Sequence, residues 1–228
     1  MTWMSSLRSA TSPQASLRFI KLTTLLGLCG LSPWLSACNL IEAAAVLTAP
    51  TTEKMDPEFN RLEGKKTLVY VWAPPEVLWD FPKIRLDVAA CISAYLDKNV
   101  KKIDVVPAVR VESYLEQSSA LQFDPVELGK HFEAEMVVHV SVYQFSMRDP
   151  GMAHFYRGRV GGSVVVWDFT KSGEPAERVP LRDVNVAVPP DSNLGYTSIR
   201  PEEIRQATYD AFAVEVGRKF HQWEKPKS

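Results

Sequence analysis

The chain has 228 residues with 26 basic and 27 acidic side chains. This near balance argues against a nucleic-acid binder, which needs a basic face to displace phosphate counterions. Setting aside Arg8, Arg18 and Lys21 of the first segment leaves 23 basic against 27 acidic residues, in a remainder of about 190 residues that suits one domain around one core.

The first carboxylate is Glu42, so residues 1–37 are acid-free and carry only positive charge. From Leu22 the run LTTLLGLCGLSPWLSA is apolar but is interrupted by Gly27, Gly30 and Pro33. It falls short of the roughly 20 apolar residues that span a bilayer and reads as an export signal with a small-residue cleavage site. At its end, Leu35-Ser36-Ala37-Cys38 resembles the lipobox of bacterial lipoproteins: an aliphatic residue, two small residues and a cysteine in order. The resemblance implies a signal peptide over 1–37, a cut between Ala37 and Cys38, and lipid of the palmitate kind on the Cys38 thiol. Cys29 is a poorer candidate because the bulky Leu28 precedes it. The alternative is an ordinary secretory signal cut near Ala37, leaving Cys38 a free thiol. Asn39 stands where enterobacterial lipoproteins held at the inner membrane tend to carry aspartate. By the same resemblance it implies an outer-membrane anchor facing the periplasm, with the inner membrane as the other possibility. Only Cys91 then remains, so no intramolecular disulfide is expected, and this cysteine reads as a buried small hydrophobe.

Residues 38–64 contain Pro50 and Pro57 and have no sustained period. They are expected to be a flexible tether, with a single α/β domain at 65–228. Leu68 to Trp72 form a short apolar run ended by Pro74-Pro75, as for a buried strand. Ile84, Val88, Cys91, Ile92, Tyr95 and Leu96 then recur at helical spacing, with Asp80 as expected N-cap and Pro82 in the first turn. A second strand, Ile103 to Val106, stops at Pro107, and the three elements make a βαβ unit. Two short helices follow, the second opened by Asp124-Pro125.

The period then changes to two. Met136, Val138, Val140 and Val142 share one face, and His139, Ser141 and Tyr143 the other. Arg148-Asp149-Pro150-Gly151 has turn chemistry, and HFYRGRVGGSVVVWDF returns as the second arm of a hairpin. A turn at KSGEP leads to a third strand, on which Val184, Val186 and Val188 alternate with Asp183, Asn185 and Ala187. The last segment opens with Pro201 and acidic residues, as a helix start does. Its apolar stripe through Tyr209, Phe212, Val216, Phe220 and Trp223 is expected to pack on the sheet. The fold class is therefore α/β (α+β), a mixed sheet with a long C-terminal helix.

Chemical motifs are sparse. His131, His139, His154 and His221 form no metal-ligand spacing, and no metal or other cofactor is expected. Gly161-Gly162-Ser163 lies inside a predicted strand, where glycines mark a bulge or a close approach rather than a phosphate loop. The scattered carboxylates read as solvated charges. The remaining signal is a group of aromatic and cationic residues around the hairpin: Tyr143, Phe145, Phe155, Tyr156, Arg157, Arg159 and Trp167. Such residues are enriched where proteins bind proteins, so they are the expected partner surface.

The order of elements, together with Leu128-Gly129 and Ala134-Glu135-Met136-Val137-Val138 leading into the hairpin, resembles the small α/β domain of certain envelope proteins. These are the amino-terminal domain of TolB, the curli secretion channel lipoprotein and the lipoprotein activators of penicillin-binding proteins. The resemblance implies a non-enzymatic adaptor or assembly subunit that binds an envelope protein or forms a homo-oligomer. It supplies no catalytic residues. A lipid-anchored hydrolase with a dispersed active site and an accessory subunit of an envelope lipid transporter are the alternatives.

Overall fold

The computed structural model describes residues 52–117, 123–148, 156–171, 175–190 and 200–226. They belong to the compact unit Pro50–Ser228, whereas the other unit, Met1–Ala49, lies outside the described residues, as do Ala37 and Cys38. In chain order the elements are β1 (Thr52–Met55), β2 (Lys66–Trp72), α1 (Pro75–Asp80), α2 (Ile84–Asn99), β3 (Asp104–Val105), α3 (Ala108–Gln117), α4 (Pro125–His131), β4 (Met136–Ser146), β5 (Gly158–Asp168), β6 (Glu177–Val188), α5 (Pro201–Gly217) and β7 (Trp223–Pro226).

The main sheet is mixed and five-stranded, in the order β3-β2-β4-β5-β6. β2 runs parallel to both β3 and β4, and β4, β5 and β6 form an antiparallel meander. The βαβ unit is thus as expected, and α3 and α4 make the second crossover that carries the chain from one side of β2 to the other. Val138, Val140 and Val142 of β4 with Val160, Val164 and Val166 of β5 meet Ile84, Val88 and Ile92 of α2 and Phe212 and Val216 of α5 in one core. A smaller core on the opposite face joins Leu68, Tyr70 and Val137 to Val111 and Leu115 of α3 and Leu128 of α4. Where α5 packs on β5 the Thr208 side chain sits so close on Gly158 that a Cβ there would lie 1.8 Å from the Thr208 hydroxyl.

Four expectations are corrected. The latter part of the expected tether is ordered: β1 pairs antiparallel with β7, and Phe59 (5% exposed) and Leu62 (0%) belong to the core. These two side chains are spaced by three and flanked by charges, which is why no longer period announces them. Asp80 caps no long helix but ends α1. Pro82 lies between α1 and α2, and Lys83 sits at the start of α2 without a side-chain cap. β3 pairs over only two residues, because Pro107 follows closely and Ile103 and Val106 are turned into packing. Trp223 leaves the helical stripe for β7, since α5 ends at Gly217, where a Cβ would come within 2.0 Å of the Tyr95 ring. Asp124 does cap α4, accepting the Val126 N–H at 2.9 Å.

Candidate partner-binding surface

The two faces of the sheet are covered unequally. α3 and α4 pack on β2 and the start of β4. Further along β4, and across β5 and β6, the same face carries His139, Ser141, Ser163 and Val165, all half-buried, with Tyr143 and Asn185 exposed. Cross-strand register brings these residues together: Ser141 lies opposite Ser163, His139 opposite Val165, and Gly161 opposite Asn185. The Tyr143 hydroxyl donates to Asn185 Oδ1 at 3.0 Å, bridging β4 and β6 over β5. The intervening Gly161 makes this possible, because a Cβ there would stand 2.7 Å from both the Tyr143 ring and the Asn185 side chain.

Three of the seven predicted surface residues share this face. Tyr143 is 46% exposed, Arg159 pairs in register with Ala187, and Trp167 lies opposite Arg178 at the end nearer α4. Tyr156 is held by Arg148, whose guanidinium lies 4.7 Å above its ring and donates to its hydroxyl at 2.7 Å. Phe155 lies outside the described residues. Two assignments are corrected. Phe145 is a core residue, 8% exposed, packed edge-on against Phe81 at 4.6 Å and beside Tyr209 at 5.3 Å. The cause is the β-bulge between Val142 and Gln144, which inserts a residue and moves Phe145 to the face opposite Tyr143. Arg157 is also buried. It donates from Nε to the Pro189 carbonyl at 3.1 Å and from Nη2 to that of Pro190 at 3.0 Å, fastening the chain that leaves β6.

His139 stacks on Tyr70 with ring centroids 4.9 Å apart. Burial, aided by the charge of Arg178, pushes its pKa down to about 4, so the ring is neutral at neutral pH. Its Nε2 lies 3.2 Å from the Ser141 hydroxyl. A serine nucleophile needs a basic histidine oriented by a third group, and among the described residues no carboxylate is hydrogen-bonded to this ring. Cys91 is half-buried, and burial raises its pKa to about 11, keeping it a thiol. Thiolate chemistry is thereby disfavoured. No group of three or more His, Cys, Asp or Glu side chains among the described residues could hold a metal ion.

Sequence reasoning missed two features. Trp79 on α1 is 86% exposed, and nothing in its local pattern distinguishes it from a core tryptophan. Glu58 closes part of the outer edge of β6. Its carboxylate accepts the Arg182 backbone N–H at 3.0 Å, the Arg182 guanidinium at 3.0 Å and the Lys219 ammonium at 3.0 Å. Burial alone would raise its pKa, but these donors outweigh burial and hold it below the usual carboxylate value. One charged residue in a proline-containing stretch gives no sequence signal for such a role.

No family model matches this chain, and no curated protein matches it. Solved structures similar to it include a variant of the PelC dodecamer from Paraburkholderia phytofirmans, at 11% identity and TM-score 0.44 over 75% of this chain and 97% of that one. Lipoprotein GNA1162 from Neisseria meningitidis is similar at 16% identity and TM-score 0.38, over 65% and 98%. A minor lipoprotein from Acinetobacter baumannii is similar at 12% identity and TM-score 0.30, over 70% and 92%. All three TM-scores fall below 0.5, a likeness too partial to bear on function.

Proposed function

We propose that this chain is a lipid-anchored protein of the bacterial envelope, attached through Cys38 at the outer membrane and facing the periplasm. Its α/β domain acts as a non-enzymatic adaptor or assembly subunit that binds another envelope protein. The observation that carries the binding role is the face of β4, β5 and β6 that no helix among the described residues covers, where Tyr143 is 46% exposed beside polar and apolar neighbours. Tyrosine on a rigid strand gives large contact area at little entropic cost, the composition of a binding hot spot. The anchoring role rests on Leu35-Ser36-Ala37-Cys38. The resemblance to the TolB, curli-channel and penicillin-binding-protein activator group supports the same reading.

Crosslinking in cells that make the full chain, beside Cys38→Ala, tests both halves. The expected result is palmitate labelling and outer-membrane fractionation of the parent, both lost in the variant, with one envelope protein recovered crosslinked to the parent. A chain that fractionates identically with and without Cys38 would refute the anchor. A membrane-attached chain that crosslinks to nothing would refute the adaptor.

A further inference from the structure

β6 ends the five-stranded sheet, and among the described residues no strand pairs with its outer side. A long free edge presents unpaired backbone donors and acceptors that another extended chain satisfies. The first half of this edge is guarded. Pro180 has no N–H to offer, and the Glu58 carboxylate sits 3.0 Å from the Arg182 backbone nitrogen, where the carbonyl of a neighbouring strand would be. After Arg182 the strand continues through Asp183, Val184, Asn185 and Val186, and among the described residues no side chain guards this stretch in the same way.

A cleft of about 560 Å³ lies at this unguarded stretch, between β6, the end of α5 and the β1/β7 ribbon. Met55, Trp223 and Pro226 supply apolar surface, the largely buried Val184 (5% exposed) lies beneath them, and Asp183 and Lys225 stand on the margin. The other charges largely neutralise one another: Glu58 binds Arg182 and Lys219, and Arg218 pairs with Glu215 while its guanidinium lies 4.1 Å over Trp223. The cleft therefore offers little to a charged small ligand. It offers a strand edge bordered by apolar side chains. The ribbon standing beside that edge hinders the approach of a second folded domain, whereas a single extended chain fits alongside it.

We infer that the β6 edge from Asp183 to Val186 receives an extended segment of the protein partner. Main-chain hydrogen bonds to β6 supply affinity, and alternate apolar side chains resting on Met55 and Trp223 supply selectivity, the mode of strand addition. This rests on the adaptor reading above and gives it a second contact, distinct from the Tyr143 face.

Photo-crosslinking in cells making the full chain tests it. Asp183→benzoylphenylalanine and Lys225→benzoylphenylalanine report on the cleft from two elements, so misfolding of one variant does not end the test. Tyr143→benzoylphenylalanine reports on the open face, and the exposed Lys98→benzoylphenylalanine on α2 is the background control. The expected result is adducts from positions 183 and 225 on one short contiguous segment of one protein, absent from position 98. A synthetic peptide of that segment abolishes them and its scrambled version does not. Adducts from position 143 alone overturn the strand-addition site but leave the adaptor reading intact. Adducts from neither face overturn both, and adducts to a second copy of this chain overturn the partner in favour of self-pairing.

Discussion

At Glu58 three donors converge on one carboxylate: the Arg182 N–H, the Arg182 guanidinium and the Lys219 ammonium. The Lys219 side chain is only 7% exposed and has Glu58 as its salt-bridge partner. Glu58 itself is part-exposed, so Glu58→Ala leaves a largely buried ammonium unpaired but within reach of water, and is expected to cost roughly 1–2 kcal/mol in urea unfolding. Because the pKa of Glu58 is depressed on folding, its contribution is full above the unfolded value near 4.5 and is lost as pH falls through the lower folded value. His139 acts in a separate window. Its folded pKa of about 4 lies below the ordinary 6.5, so between these values the unfolded chain holds the extra proton and stability falls as pH drops. Parallel unfolding titrations of the parent and His139→Phe, which keeps the stack on Tyr70, check this. The variant should lose most of the pH dependence between 6.5 and 4 while keeping the steeper loss below it. A variant with an unchanged slope would place the titrating group elsewhere.

At the scale of elements, what was legible in the sequence follows from how far a side-chain pattern extends. The valines of β4 and the stripe of α5 repeat over enough residues to reveal both period and buried face. The crossover through α3 and α4 was marked by Asp124-Pro125. The candidate surface was legible only in part. A bulge has no composition of its own, yet the one between Val142 and Gln144 decides that Tyr143 faces outward and Phe145 inward. Buried arginines such as Arg157 look in sequence like exposed ones, because their carbonyl partners lie beyond β6. The segment before β2 was hidden for a third reason: Phe59 and Leu62 are too few to set a period, although both pack in the core. Leu62→Ala tests that segment directly. A leucine in a tether would be silent, whereas this fully buried one is expected to cost about 3 kcal/mol through lost transfer energy and the cavity left behind. Gly158→Ala should be costly for the opposite reason, since its Cβ would meet the Thr208 hydroxyl at 1.8 Å. Overpacking there predicts a loss of roughly 2 kcal/mol, and denaturant melts of the two variants separate the two mechanisms.

For the whole molecule, the proposed anchor and the proposed binding surfaces act on different parts of the same equilibrium. A lipid on Cys38, as proposed, would add no contact to the partner. It would confine the domain to one membrane, and residues 39–51 before β1 can reach at most about 45 Å when fully extended. If the partner sits in the same membrane, that confinement raises the effective concentration of the domain toward the millimolar range expected of short linkers. Cys38→Ala should then lower partner capture in cells strongly while leaving unchanged the affinity of the two proteins mixed in solution. Tyr143→Ala should instead weaken binding in solution as well as in cells, with membrane fractionation unchanged. An exposed tyrosine contributes little to the core, so its loss should leave the unfolding midpoint nearly fixed but weaken solution affinity by about tenfold or more, as a hot-spot residue does. Measuring capture in cells and affinity in solution for both variants distinguishes a tethered adaptor from a protein that is only stored at the membrane. In the second case Cys38→Ala would change the fractionation of the chain and neither measure of binding.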